Sequence, residues 1–254
     1  MFGPLKRGLK RLVSRFGYEV VRPESLQERA LAHHLGRLFR QLRVDCVLDV
    51  GANRGQYRNF LRDAVGYEGW IVSFEPLQRN VQILSAAAPS DPRWVVCGFA
   101  LGRQDGHLDI NVMRSDDFSS FLAPDSSIVG VFQELNVVDR KERVEIKRLD
   151  AVLPGLRAKC PMRNVYLKMD TQGFDLEVIE GAGAELAGIC ALQTELSVRR
   201  IYEGMPDYQE ALRVVERKGF TISGIYPVTS DPAMRVIEFD CILVNAASSP
   251  NGTP

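Results

Sequence analysis

The chain has 254 residues, 45% hydrophobic and 25% charged, the make-up of one folded domain with a real core plus an extension. Its 32 basic and 32 acidic residues cancel, which argues against a nucleic-acid partner, since such proteins carry a basic excess or stripe. No apolar run approaches the roughly 18 residues of a membrane span.

Residues 1–18 hold Lys6, Arg7, Lys10, Arg11 and Arg15 and no acid, with Leu5, Leu9, Leu12, Val13 and Phe16 recurring at helical spacing. Two readings fit: a helix lying on an anionic membrane face, or a solvated helix docked on the core or frayed at the terminus. The segment lacks the unbroken apolar stretch of a signal peptide. A second helix is expected over 25–42, with Leu31, Leu35, Leu38, Phe39 and Leu42 on one face; Ser25 is its cap and Glu28 completes a capping box. Together 1–44 read as a helical extension.

From Cys46 the pattern alternates. Strands are expected over 46–50, 70–74, 94–97, 165–170, 191–196, 220–226 and 241–244, and helices over 57–63, 80–88, 175–186 and 208–218. Such strand–helix–strand units build a mostly parallel sheet with helices on both faces, an α/β domain here spanning 45–245. The stretch 106–147 interrupts the alternation with strand-like pieces at 107–112 and 143–149, and reads as an insertion over the ligand-binding edge. Residues 246–254 read as a disordered tail. Cys46, Cys97, Cys160, Cys190 and Cys241 are odd in number and never paired as CxxC, so buried thiols of a cytoplasmic protein are expected, not disulfides or zinc ligands.

The first strand runs into Asp49-Val50-Gly51-Ala52-Asn53-Arg54-Gly55, a turn that places backbone N–H groups and a helix start at the carboxyl edge of the sheet, where open α/β sheets bind ligands. Gly51 and Gly55 are expected to let a ligand approach the backbone. A dinucleotide site would have GxGxxG; here Asp49 precedes the first glycine, which disfavours a pyrophosphate and suits an ammonium or sulfonium. Glu75 ends the second strand and is placed to accept hydrogen bonds from two ribose hydroxyls. These features describe S-adenosylmethionine, bound by Asp49, Gly51, Asn53, Gly55 and Glu75. The plainer alternative is that Asp49 and Glu75 only cap helix N-termini.

The stretches VLDVGANRGQY at 47–57, SFEP at 73–76, KMDTQGFDLEVIEGA at 168–182 and LQTELS at 192–197 resemble the FkbM family of S-adenosylmethionine-dependent methyltransferases. The resemblance covers roughly residues 45–245. It implies the class I methyltransferase fold, Rossmann-like with a seven-stranded sheet whose last strand is antiparallel, and methyl transfer to a hydroxyl oxygen. Many members carry Glu where this chain has Gln172 and Asp175.

Strand alternation puts Tyr166, Lys168 and Asp170 on one face, with Asp170 at the carboxyl edge. A lysine in a buried strand needs a carboxylate, and Glu195 on the next strand is the expected partner of Lys168. Asp170 is the candidate general base, with Glu195 orienting it and Lys168 beside it. Two alternatives stay open: Asp170 holding the cofactor's ammonium while Glu195 only neutralises Lys168, or Asp170 and Glu195 as ligands of a Mg2+ ion. His33, His34 and His107 read as structural. The segment Ser115-Asp116-Asp117-Phe118-Ser119-Ser120-Phe121-Leu122 suits either contact with a polar acceptor or an ordinary loop.

The leading expectation is an O-methyltransferase acting on a small-molecule or glycan hydroxyl: a glycan, glycolipid or polyketide-type metabolite. Against it stand an NAD-dependent oxidoreductase, which the missing GxGxxG and hydride-transfer residues disfavour, and a noncatalytic binding protein of the same fold. No oligomeric state follows from the pattern.

Overall fold

The computed structural model describes residues 26–125 and 137–248. The basic segment 1–18 with its membrane reading, the Ser25 cap, the middle of the inserted stretch and the tail beyond 248 lie outside the described residues. Helix α1 (Leu26–Leu42) buries Ala32, Leu35, Leu38, Phe39 and Leu42, the stripe that the 3–4 spacing predicts. Phe39 meets the edges of Tyr67 and Tyr166, with ring centroids 5.1 and 4.8 Å apart. No helix among the described residues is long and apolar enough to cross a membrane.

Among the described residues ten strands follow: β1 (Cys46–Val50), β2 (Trp70–Phe74), β3 (Trp94–Cys97), β4 (Ala100–Leu101), β5 (Gly106–Met113), β6 (Val138–Lys147), β7 (Val165–Met169), β8 (Ile189–Ser197), β9 (Phe220–Ser230) and β10 (Val236–Asn245). Between them run α2 (Gln56–Phe60), α3 (Gln78–Ala87), α4 (Leu149–Arg157), α5 (Asp175–Gly181) and α6 (Tyr208–Arg217). Seven strands form one sheet in the order β3-β2-β1-β7-β8-β10-β9. All its pairings are parallel except those of β10, which runs antiparallel to both β8 and β9. This is the class I methyltransferase sheet, with its antiparallel last strand inserted between two earlier ones.

Both faces of the sheet are covered, which is why β1 and β7 read as nearly continuous apolar runs instead of alternating. Leu48, Phe74, Leu167 and Leu192 pack with Leu149 and Leu153 of α4, Val178 and Ile179 of α5, and Ala211 and Val215 of α6. Val47, Ile71, Tyr166 and Ala191 pack with α1, Leu61 and Leu84 on the other side. All five cysteines are free.

One local expectation needs correction. The strand expected over 143–149 ends at Lys147, and Leu149 opens α4, whose Leu149, Leu153 and Leu156 all turn into the core. Pro154 inside that helix masks its signal in the sequence. β5 and β6 of the inserted stretch pair antiparallel, and β4, which precedes the stretch, lies parallel to β6 to complete a second, three-stranded sheet.

Candidate active site

The carboxyl ends of β1, β2, β7 and β8 and the start of β10 surround a cavity of about 640 Å³, closed on other sides by α1 and the inserted stretch. Open α/β sheets take their ligands at this edge.

At the β1 turn, Gly51 has φ of +79°, and a Cβ there would stand 2.0 Å from the backbone oxygen of Asp170. Gly55, with φ of +86°, would press a Cβ to within 3.2 Å of Leu84 and 3.4 Å of Trp94. Both glycines are therefore required by the protein's own backbone and packing, independently of any ligand's approach. Asn53, also left-handed, donates its N–H to Glu75 Oε2 at 2.8 Å, and its side chain bonds Asp117 and accepts from Asn80 at 3.1 Å.

Glu75 sits at the tip of β2, 4% exposed, in the cavity wall. Its Oε1 accepts the Leu77 N–H at 2.9 Å, so it does reach the start of α3 as well. Burial outweighs those hydrogen bonds and pushes its carboxyl up to about 7.

Asp49 is fully buried. Ser73 Oγ donates to its Oδ2 at 3.1 Å and itself accepts from Trp94 Nε1 at 3.0 Å. Lys168 Nζ stands 3.4 Å from Oδ1, an ion pair without a hydrogen bond. Burial pushes the Asp49 carboxyl up in spite of that lysine. Lys168 lies equally far, 3.4 Å, from Asp170 Oδ2, and its ammonium is 5.0 Å from the Tyr57 ring centre. Burial opposes the charge on Lys168, but Asp170, Asp49 and Asp240 together overcome it and raise its pKa. The expected Lys168–Glu195 pair is thus corrected. The register sets Lys168 opposite Asp49 on β1 and Gln193 on β8, leaving Glu195 two residues farther along.

Glu195 meets Asp170 by another route. Gln172 Nε2 donates to Asp170 Oδ1 and to Glu195 Oε2, each at 3.0 Å, while Gln172 Oε1 accepts from Tyr202 at 2.8 Å. Burial first, then the charges of Asp170, Glu238 and Asp240, push Glu195 well above the usual carboxylate range. Asp240 lies opposite Glu195 in the β8–β10 register and Glu238, two residues away, opposite Ser197, and both acids line the cavity. Burial is the main cause in each, with Glu238 pushed up to about 7 and Asp240 to about 6. Sequence reasoning missed Glu238, Asp240, Tyr202 and Gln193; Glu-x-Asp within an apolar strand was the signal for the first two, since it sets two carboxylates on one face.

Asp175 holds the turn after β7, accepting the Thr171 N–H at 3.0 Å, the Thr171 hydroxyl, and Thr194 Oγ1 at 2.6 Å. None of His33, His34 and His107 lines the cavity; His34 bonds Tyr226 at 2.6 Å and Ser223 at 2.9 Å. Asp117, Phe118, Ser119 and Phe121 of the inserted stretch do line it. A Mg2+ ion does not fit the pair expected to hold it, because the Asp170 and Glu195 oxygens that face one another already receive an amide's hydrogens and Asp170 Oδ2 faces an ammonium. No group of three metal-ligating side chains is gathered among the described residues.

A family model described as the methyltransferase FkbM domain matches residues 49–222. A comparison with curated proteins finds no match. Among solved structures the chain is similar to an rRNA methylase from Streptococcus thermophilus (12% identity, 90% of this chain and 99% of that one, TM-score 0.45). It is similar also to magnesium protoporphyrin IX methyltransferase from Synechocystis with bound SAM (11%, 96% and 93%, 0.45). A third is fibrillarin from Aeropyrum pernix with natively bound S-adenosyl-L-methionine (12%, 79% and 66%, 0.42).

Proposed function

The chain belongs to the FkbM methyltransferase family, and on that premise we propose that it is an S-adenosylmethionine-dependent O-methyltransferase acting on a hydroxyl of a glycan, glycolipid or polyketide-type metabolite. The observation that carries this reading is the cavity itself, whose wall holds both the buried Glu75 carboxylate and the partly open Asp170 carboxylate. Glu75, held by two backbone N–H groups, keeps lone pairs for ribose hydroxyls, and Phe74, Leu77, Leu101 and Ile110 give an apolar wall for a base. When bound, the cofactor supplies a methyl group on a positively charged sulfur.

Asp170 is the proton acceptor in this reading. Its side chain is 39% exposed, enough for an acceptor hydroxyl to reach it, and Lys168 and Gln172 fix its two oxygens. Taking the hydroxyl proton there makes the oxygen a better nucleophile, a contribution of roughly 10²–10⁴-fold in such reactions. Glu238, 4% exposed, is too deeply set to serve first.

The lining also speaks to the acceptor. Among the described residues it holds seven carboxyl groups (Glu28, Glu75, Asp117, Asp170, Glu195, Glu238 and Asp240) and one base, Lys168, which is already paired. A phosphorylated or carboxylated acceptor finds no unpaired base among them and meets those acids that are ionised; an uncharged polyol avoids that repulsion.

Calorimetry with S-adenosylmethionine, and with NAD as control, tests the cofactor. Release of S-adenosylhomocysteine on a panel of neutral glycans and polyketide alcohols, each beside its phosphorylated counterpart, tests the acceptor. Binding of NAD and not of S-adenosylmethionine would overturn the reading.

A further inference from the structure

Gln172 is the one neutral group between two carboxylates, and every polar atom of its amide is used. Its nitrogen gives one hydrogen to Asp170 Oδ1 and one to Glu195 Oε2, and its oxygen takes the Tyr202 hydroxyl. That hydroxyl also lies 2.9 Å from the Phe118 carbonyl, and Ser120 Oγ donates to the Gln172 carbonyl at 2.7 Å, so the inserted stretch is tied to the same residue. The amide is fixed in this orientation, because reversal would put its oxygen against the acceptor oxygens of Asp170 and Glu195.

The backbone at Gln172 is in the left-handed region, φ of +52°, next to Gly173 at +88°. A long side chain in that region is uncommon, and glycine or asparagine meets the backbone requirement at lower cost. The position is therefore specified by the amide and not by the turn. Two carboxylates brought this close normally need a cation or a shared proton between them. Here Lys168 balances Asp170 from the far side only, through Oδ2.

We propose that Gln172 is the positioning residue of the Asp170–Glu195 pair, doing with an amide what a divalent cation does between two carboxylates, and that the pair works without a metal ion. The consequence for turnover rests on the methyltransferase reading; the linkage itself does not. A carboxylate at position 172 supplies no hydrogen, leaves three acids in contact, and opens the oxygens to a cation.

The test uses Mn2+ as the probe, followed by electron paramagnetic resonance and by melting temperature, on wild type, Gln172→Glu and the charge exchange Asp170→Asn/Gln172→Glu. Wild type is expected to leave the Mn2+ spectrum and its own melting temperature unchanged. Gln172→Glu melts lower, binds Mn2+ at least about tenfold more tightly than wild type, the scale on which a change around a metal alters its affinity, and regains melting temperature as it binds. The charge exchange, again an amide among acids, regains it without metal. A glutamine that only fills space predicts none of these differences. Should Gln172→Glu fail to fold, Gln172→Met removes the hydrogens without adding charge, and Mn2+ is expected to raise its melting temperature while leaving wild type alone. Wild type that binds Mn2+ and loses it on Asp170→Asn overturns the proposal. So does a Gln172→Glu, or in its absence a Gln172→Met, that melts like wild type and ignores Mn2+. S-adenosylmethionine affinity measured on the same wild-type preparation separates the two readings, since its absence removes the methyltransferase proposal and leaves the Mn2+ result standing.

Discussion

Lys168 and Asp49 face each other across the β1–β7 pairing, Nζ to Oδ1 at 3.4 Å, with almost no solvent on either side chain. The pair sits directly beneath the cavity and anchors the strand that ends in Asp170. Lys168→Met strands a buried carboxylate and is expected to cost about 3 kcal/mol, the lower end for breaking such a pair. In the variant Asp49 must hold a proton to stay folded, so its pKa rises further above the unfolded value. Stability is then kept at low pH and lost as pH rises, and the deficit against wild type widens from pH 5 to pH 8. Thermal melts across that range check it, and equal melting at pH 8 would refute it.

Glu75 carries both a binding and a pH prediction. Glu75→Ala is expected to lose roughly 1.5–3 kcal/mol of S-adenosylmethionine binding, or about 10–150-fold in affinity, the scale for hydrogen bonds to a charged group. With its carboxyl pushed up to about 7, wild type should bind more tightly at pH 8 than at pH 6, because the ionised form is the better acceptor. Calorimetry at the two pH values on wild type and Glu75→Gln decides, the variant being expected to lose the dependence. The same raised carboxyl stabilises the ligand-free fold fully below about 4.5 and loses that contribution as pH rises through 7.

Asp170→Asn retains the shape and one acceptor oxygen but cannot take the hydroxyl proton. Turnover on an acceptor found in the panel should fall by about 10²–10⁴-fold while cofactor affinity changes far less. The opposite split, with affinity lost and saturated turnover kept, assigns Asp170 to the cofactor instead.

Gly51→Ala separates packing from ligand approach. With φ of +79° and a Cβ placed 2.0 Å from the Asp170 carbonyl, the variant should be destabilised by several kcal/mol or fail to fold even without ligand. A folded Gly51→Ala with wild-type melting and weakened cofactor binding would restore the ligand-approach reading.

The five bases of residues 1–18 support a fourth kind of measurement. If this segment lies on a membrane, deleting it should abolish sedimentation with anionic vesicles at low salt and leave S-adenosylmethionine binding intact. Full-length protein that ignores such vesicles removes the membrane reading.

Strands were legible because a parallel sheet covered on both faces writes each central strand as an apolar run, and Glu75 and Asp170 were legible because each ends such a run. Which strand lies beside which, and in what register, is a long-range matter that periodicity does not carry. Lys168 was assigned to Glu195 for that reason, although the acid opposite it belongs to a strand more than a hundred residues earlier. The same blindness hid Glu238 and Asp240, which reach the site only because β10 is inserted beside β8. Tyr202 follows β8 in a stretch with no periodicity at all, so its bond to Gln172 had no trace in the sequence.

The inserted stretch leaves and rejoins the main body side by side, where the Gly102 N–H donates to the Lys147 carbonyl at 3.0 Å. Between those residues Asp117, Ser120 and Ala123 bond back to Asn53, Gln172 and Glu203 of the main body, and Phe118, Ser119 and Phe121 stand over the cavity. Exchanging the stretch between Gly102 and Lys147 should therefore disturb the methyl donor's seat together with the choice of alcohol, since Ile110 and Asp117, the partner of Asn53, go with it.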